Sequence, residues 1–443
     1  MKKVITYGTY DLLHQGHINL LRRAKELGDY LIVGVTADGF DHERGKINVQ
    51  QTLVERIDAV KATGYADMIV VEEYEGQKID DIKRYDVDIF TVGSDGVGKF
   101  DYLKEYCEVI YLDRTKGISS TEIRSQKRLL RLGMVGSIDY LAKFERESRF
   151  VNGLEVMAVC ASPLFNLPDT LNKLPVVETD YTRMLDHVDA VFIMSAAHEH
   201  YRQIKEALLA GKHVLCESPI VLNLGELKDL EDLAKKNGCV LMNSLRTAYS
   251  TAYNRLLLLI KSGIIGKVYS VDATCTSLRE VNPDEYTSVW NSMGSWGPTA
   301  MLPVFQILGC EYEDATIYSH ILNRSTMYDS FTKIAFVYKD AVASIKVGKG
   351  VKSEGDLVVS GTDGYIYVPA PWWKTDYFEV RREDSSQNKR YFYQLDGEGI
   401  RYELVTFLKM IQTGRDMSYI EAAVTKSTVN LFEKFYKADI VEI

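Results

Sequence analysis

Ten consecutive residues, Gly8-Thr9-Tyr10-Asp11-Leu12-Leu13-His14-Gln15-Gly16-His17, narrow the fold of this chain more than any other segment. They follow a short apolar run, Val4 to Tyr7, and lead into helical periodicity from His17 to Leu27, with Leu20, Leu21, Ala24 and Leu27 apolar. A buried strand that enters an amphipathic helix through a glycine-framed loop belongs to a parallel sheet, which opens its ligand crevice at that place. Gly8 permits close backbone approach, and Gly16 lets the chain turn tightly into the helix. His14 and His17 stand three apart at the helix start, so both rings can face one anion. The helix dipole and free N–H groups favour phosphate there too. One histidine in this position reads as structural; two in this frame read as functional.

The pattern continues with strand Tyr30 to Val35, helix Leu53 to Thr63, strand Met68 to Val71, helix Lys78 to Arg84, strand Ile89 to Val92 and strand Cys107 to Leu112. A helix starting near Ser120 and running to Arg131 completes a doubly wound parallel α/β domain over residues 1–130. Strand Leu132 to Val135 opens a second βαβ series over residues 131–247, a Rossmann-like domain. Its clearest elements are Leu154 to Val159, Ala190 to Met194, His200 to Ala210, Leu224 to Lys236 and Val240 to Asn243. Residues 248–443 change character. Strands such as Phe331 to Tyr338 and Ala343 to Val347 follow one another unbroken by helices, which predicts an α+β domain with an open, mainly antiparallel sheet. Helices Arg401 to Thr413 and Tyr419 to Ala438 close the chain and are expected to pack back. The fold class is therefore α/β, in three domains.

At 443 residues, roughly three domains is also what chain length suggests. A net charge of −9 leaves no overall field for nucleic acid or acidic membranes. The six cysteines are scattered, without a C-x-x-C pair or zinc spacing, which points to reduced thiols in the cytoplasm. MKKVITYG reads as a first strand and not as a leader, and the most apolar stretch, Leu256 to Ile260, is too short for membrane insertion.

A second motif, Arg114-Thr115-Lys116-Gly117-Ile118-Ser119-Ser120-Thr121, follows a strand and opens a helix. Capping explains one hydroxyl. Ser119, Ser120 and Thr121 together with Arg114 and Lys116 make a better phosphate cradle than a cap, with Thr115 beside them. Arg44, Lys46 and Arg56 add positive charge between the motifs, although a lysine such as Lys46 is as often merely solvated.

GTYDLLHQGH and RTKGISST resemble the two signature motifs of the glycerol-3-phosphate cytidylyltransferase family, within the HxGH nucleotidyltransferase superfamily. The resemblance extends over residues 1 to about 128, including LLRRAKELGDYLIVGVTAD and GKFDYLKEYCEVIYL. It implies in-line attack by a substrate phosphate on the α-phosphate of CTP, with Mg2+ present and pyrophosphate released. His14 and His17 would stabilise transition-state charge, Lys46 would bind phosphate, and Arg114 with Ser119, Ser120 and Thr121 would hold the triphosphate. Gly8, Thr9, Tyr10 and Asp11 would line the nucleotide site, Asp11 near the metal and Asp95 near the nucleotide. The family's tryptophan in a GDDWEGKFD-like segment is Gly96 or Val97 here, and DHERGKINVQQTL departs from the usual loop. Both departures bear on which polyol phosphate is accepted. A runner-up is an adenylyltransferase of the ADP-heptose type, against which RTKGISST argues. The resemblance also implies a homo-oligomer, a dimer, and a role in teichoic-acid-like or capsular polysaccharide synthesis.

From about Leu132 onward the chain resembles the Gfo/Idh/MocA oxidoreductase family, on SAAHEHYRQIKEALLAGKHVLCESPI, YNRLLLLIKSGIIGKVYSV and GIRYELVTFLKMIQTGR. That implies NAD(P) at Gly133, Gly136, Ser162, His198 and Glu217. Departures are substantial. Ser218 replaces the family's lysine, Thr299 stands where its histidine is expected, and Ser295 replaces its aspartate. Ile138 takes the place of the second glycine of G-x-G, where a β-branched side chain crowds a pyrophosphate. Ser162 suits the 2′-phosphate of NADP or is simply a turn residue. Two readings of residues 132–443 therefore stand: a reductase supplying the polyol phosphate, or a non-catalytic scaffold that binds a ligand or fixes oligomeric state.

Overall fold

The computed structural model describes residues 1–37, 49, 51–74, 76–113, 129–162, 167–278, 290–393 and 396–443, with the backbone alone at residues 95 and 396. The chain divides into two compact units, Met1–Leu129 and Leu130–Ile443.

The first unit runs β1 (Lys3–Gly8), α1 (Gln15–Lys25), β2 (Tyr30–Thr36), α2 (Leu53–Ala62), β3 (Met68–Glu72), α3 (Gln77–Tyr85), β4 (Ile89–Gly93) and β5 (Glu108–Leu112). Its sheet has the order β3-β2-β1-β4-β5, with every pairing parallel. Neighbouring side chains of β1 feed opposite cores. Val4 packs with Leu21 and Ala24 of α1 and Val60 of α2, while Ile5 packs with Ile82 of α3 and Phe90. Burial on both faces is why these strands read as apolar runs instead of alternating ones. Strand order reverses between β1 and β4, so the loop after β1 lies at the switch point.

The second unit begins with β6 (Leu130–Gly136), α4 (Ile138–Ser148), β7 (Leu154–Cys160), β8 (Val176–Glu178), β9 (Ala190–Met194), α5 (Ala197–Leu209), β10 (His213–Glu217), α6 (Leu224–Asn237) and β11 (Leu241–Ser244). These strands form a parallel sheet in the order β11-β10-β9-β6-β7-β8. Then come α7 (Thr251–Lys261), β12 (Val268–Ser277), α8 (Ser292–Leu308), β13 (Asp314–Asn323), β14 (Tyr328–Val337), β15 (Val342–Lys349), β16 (Leu357–Gly361), β17 (Gly364–Val368), β18 (Tyr377–Arg381) and β19 (Lys389–Phe392). After α9 (Ile400–Thr413) and α10 (Ala422–Tyr436), β20 (Val441–Glu442) ends a sheet ordered β19-β18-β17-β16-β12-β15-β14-β13-β20. It is mixed: β12–β15 and β13–β20 pair in parallel, the rest antiparallel. Helix α9 packs on α4, and α10 packs on α6 and α8.

Two expectations are corrected. The strands are not unbroken, because α8 interrupts them. Pro298, Pro303, Gly294 and Gly297 hide it, yet its residues are mostly buried against β12, β14 and β15. Tertiary burial overrides low propensity there. Leu130 and Arg131 belong to strand β6, not to the preceding helix, whose expected start near Ser120 lies outside the described residues.

Candidate active site

His14 caps α1 with extended backbone, and its Nδ1 accepts the Gly16 N–H at 3.0 Å. The neutral ring must then carry its proton on Nε2, which leaves a donor pointing away from the helix. The His14 and His17 rings stack at 3.9 Å between centroids and 19° between planes, and the edge of Tyr10 lies 5.6 Å from His17. The helix terminus favours an anion at the same place, where ring N–H groups can donate to it. The pairing suits a phosphate whose charge grows during reaction.

The loop that carries these rings is held down at several points. Tyr10 and Leu12 adopt left-handed backbone, φ 55° and 48°. Tyr10 folds back over Gly8, where a Cβ would meet its ring at 3.0 Å, so the first glycine makes room for the tyrosine. Burial pushes the Tyr10 phenol pKa well up, and the Thr6 hydroxyl faces it. Asp11, only 4% exposed, accepts the Gln51 N–H at 3.0 Å, and Leu12 N–H donates to Gln51 Oε1 at 2.7 Å. The loop is thereby tied to the start of α2, which Thr52 and Glu55 close with a reciprocal capping box.

Arg56 corrects an expectation. The sequence places it with Arg44 in substrate binding, but its side chain is fully buried. Its guanidinium donates to the carbonyls of Thr9 at 2.6 Å, Thr36 at 2.8 Å and Gln51 at 3.2 Å. It joins the loop to the ends of its neighbours. One Asp11 oxygen accepts the Gln51 N–H, and among the described residues no group of three metal-capable side chains forms. Arg44, Lys46, Arg114, Thr115, Ser119, Ser120, Thr121 and the side chain of Asp95 lie outside the described residues.

In the second unit Gly136, Ser162, His198 and Glu217 stand at or just beyond the carboxyl ends of β6, β7, β9 and β10. Gly133 sits inside β6, where a Cβ would press on Met184 and Val188, so it serves packing and not a cofactor loop. Gly136 ends β6 at φ 131°, with Met194 O 2.1 Å from any Cβ; only glycine fits this strand-to-helix turn. Ser162 is exposed after β7. His198 is exposed beside Glu199, whereas His200 is buried with its ring nitrogens 2.9 Å from the carbonyls of Pro219 and Ser195. His200 is the one built into the fold. Ser218 is buried, and Thr299 lies within α8.

Glu217, at the carboxyl end of β10, belongs to a polar cluster the sequence reading missed. Ser244 Oγ lies 3.0 Å from Glu403 Oε2 and 3.3 Å from Glu217 Oε2, and Leu245 N–H donates to Glu403 Oε1 at 2.8 Å. Burial raises the Glu217 carboxyl to about 7, with Arg246 opposing. Burial, then the Glu217 charge, raises Glu403 to about 8. One hydroxyl hydrogen cannot satisfy two carboxylates, so a carboxyl proton completes the bridge. The folded state therefore binds more protons than the unfolded chain between the ordinary glutamate range and these values. The contribution of this pair to the second unit's stability should be fully present below the ordinary glutamate range and be lost as pH rises from about 5 to 8. Thermal unfolding across that range checks this, and Glu403→Gln should flatten the slope.

A cytidylyltransferase-like family profile matches residues 5–126, and a profile described as oxidoreductase family, NAD-binding Rossmann fold, matches residues 130–245. The glycerol-3-phosphate cytidylyltransferase of Staphylococcus aureus is 50% identical over 129 residues, 28% of this chain and 95% of that protein. The Bacillus subtilis protein of the same name is 48% identical over 126 residues, 28% of this chain and 97% of its own. A 3-ketoreductase from Actinomadura kijaniata, solved with NADP and TDP-benzene, covers 71% of this chain and 99% of that one, with TM-score 0.60 and 17% identity. An oxidoreductase from Agrobacterium radiobacter, solved with NAD+, L-tartaric acid and magnesium, covers 70% and 96% with TM-score 0.57 and 15% identity. These two likenesses show the fold alone.

A parallel sheet with paired histidines at its switch point defines a nucleotidyltransferase of the cytidylyltransferase-like class. Through its first 129 residues the chain belongs to the glycerol-3-phosphate cytidylyltransferase family, fused to a Gfo/Idh/MocA oxidoreductase-like region.

Proposed function

We propose that the first unit transfers CMP from CTP to glycerol 3-phosphate or a closely similar polyol phosphate, giving CDP-glycerol or its analogue. The observation that carries this reading is the stacked His14–His17 pair over the α1 terminus. An acceptor phosphate oxygen attacks the α-phosphorus of CTP, the bond to the β-phosphate bridging oxygen breaks, and pyrophosphate leaves. No side-chain nucleophile is needed, because phosphoryl-type transfer calls for positioning and charge stabilisation. His14 and His17 donate to phosphate oxygens as their charge builds. By the family resemblance, Lys46, Arg114, Thr115, Ser119, Ser120 and Thr121 hold the triphosphate, with Arg44 and Asp95 alongside. Magnesium arriving with CTP would be held mainly by phosphate oxygens and water.

The second unit is read as a ligand-binding module that has lost the family's hydride chemistry. Reduction of a carbonyl needs a proton donor in reach, and Ser218 and Thr299 are poor replacements for lysine and histidine. The cytoplasm, a homodimer and a supply role for cell-surface polymers fit this assignment.

Pyrophosphate release with CTP and with ATP, across glycerol, ribitol and erythritol phosphates, tests the first reading. CTP with glycerol 3-phosphate should give the highest kcat/KM, whereas turnover with ATP alone would move the unit to the adenylyltransferases. For the second, NADH and NADPH titrations should leave the protein's fluorescence unchanged; saturable quenching would restore the reductase reading.

A further inference from the structure

In the second unit, three cations converge on a single carboxylate oxygen. Glu398 Oε2 lies 2.5 Å from Lys143 Nζ, 3.0 Å from Arg246 Nη1 and 3.0 Å from Lys374 Nζ. Burial works against the Glu398 charge, but Lys143 and Lys374 hold its carboxyl down to about 2. One carboxylate does not balance three cations. The nearby acids, Glu217 and Glu403, add less than their full charge at neutral pH because of their raised values, about 7 and about 8. A net positive pocket remains, and all four side chains in it are partly exposed to solvent.

The residue that fills this pocket is held there against its backbone preference. Gly397, Glu398 and Gly399 have φ of 61°, 53° and 88°, the left-handed region, where glutamate is disfavoured. The glycines pack down closely: a Cβ at Gly399 would stand 2.6 Å from Arg246 O, and one at Gly397 2.3 Å from Glu147 Oε2. The loop stays put, so emptying the pocket requires only that the Glu398 side chain swing outward. Beside it, the Tyr140 hydroxyl is buried with no hydrogen-bond partner, and its ring lies 4.8 Å from the Arg246 guanidinium. Burying an unmade donor is costly, which makes it a second sign of a missing acceptor. Tyr140 and Lys143 lie on α4, and Arg246 closely follows β11. These are the elements that border the carboxyl edge of the parallel sheet, where such folds take their ligands.

We propose that Lys143, Arg246 and Lys374, with the Tyr140 hydroxyl, bind the phosphate of a small phosphate monoester, and that Glu398 is the displaceable plug of this site. The proposal rests on reading the second unit as a ligand-binding module. A monoester dianion offers three oxygens to three cations where the carboxylate offers one, and guanidinium matches phosphate geometry. The first unit's acceptor belongs to the same chemical class.

All four tryptophans, Trp290, Trp296, Trp372 and Trp373, lie in the second unit, and Trp373 adjoins Lys374. Tryptophan fluorescence of the full chain therefore reports on the second unit, and the lysine variants below assign the response to this site. Titration with glycerol 3-phosphate or inorganic phosphate should give a saturable change, and glycerol should give none. Glu398→Gln, which keeps the shape and removes the competing charge, should tighten binding about ten-fold or more. Lys143→Met with Lys374→Met should abolish the response while leaving cytidylyl transfer at the wild-type rate. Lys374→Met alone, at a half-exposed side chain, should weaken binding and leave the thermal midpoint unchanged. The proposal is overturned if neither the wild type nor Glu398→Gln responds to phosphate, or if the response survives the double lysine substitution. Either result would leave the first unit's reading untouched, since that is measured by pyrophosphate release.

Discussion

Replacing His17 by alanine should lower the rate of cytidylyl transfer by a factor of roughly hundreds or more, the scale on which removal of a transition-state donor acts. Most of the loss should appear in kcat, because the ring meets charge that grows only as the α-phosphate is attacked. His17 is the better probe of the two histidines. His14 also caps α1 through its Nδ1, so His14→Ala should add about 1 kcal/mol of lost stability to any loss of rate. The rings stack at 3.9 Å, in direct contact, so the double variant should fall well short of the product of the single effects. Steady-state kinetics of the three variants, with circular dichroism as a fold control, make the measurement. A near-wild-type rate for His17→Ala would show that the helix start is not where charge develops.

The sequence disclosed the first unit because each local signal agreed with the next. The apolar run before Gly8, the glycines at 8 and 16 and the periodicity after His17 all specify a strand, a loop and a helix. What it could not disclose was the orientation of charged side chains. Arg56 reads as one more cation in a basic segment, and nothing in VERID says that three carbonyls wait for it. Asp11 likewise reads as a ligand, although its buried oxygen is turned to the Gln51 N–H. In the second unit, Glu403 and Glu398 lie more than 150 residues from Ser244 and Arg246, separations given by their hydrogen bonds as 159 and 152. Pairings at that range are made by tertiary packing, and no periodicity encodes them. Helix α8 is hidden for the opposite reason, since its prolines and glycines give a clear local signal that burial overrides.

Arg56→Met should cost the first unit about 3 kcal/mol or more, because it removes the donor and leaves carbonyls buried without one. Arg56 is fully buried, and its three carbonyl partners come from the loop at Thr9, the end of β2 at Thr36, where the bond is fully buried, and the turn into α2 at Gln51. Methionine fills much of the volume, so a cavity contributes little and the loss reports the hydrogen bonds. The rate should fall as well. Thr9 begins the segment whose left-handed Tyr10 and Leu12 deliver His14 and His17 to the helix terminus, and small misplacements of reacting groups cost much in rate. Arg56→Lys separates charge from geometry. It keeps the cation but lacks the planar fork that reaches three separated carbonyls, so it should recover only part of the stability and little of the rate. Chemical unfolding of the full chain, followed by far-ultraviolet circular dichroism, should show the first unit's transition moving while the tryptophan-reported transition of the second stays fixed. If Arg56→Met unfolds within about 0.5 kcal/mol of wild type and turns over normally, the loop is held by Asp11 and Gln51 alone.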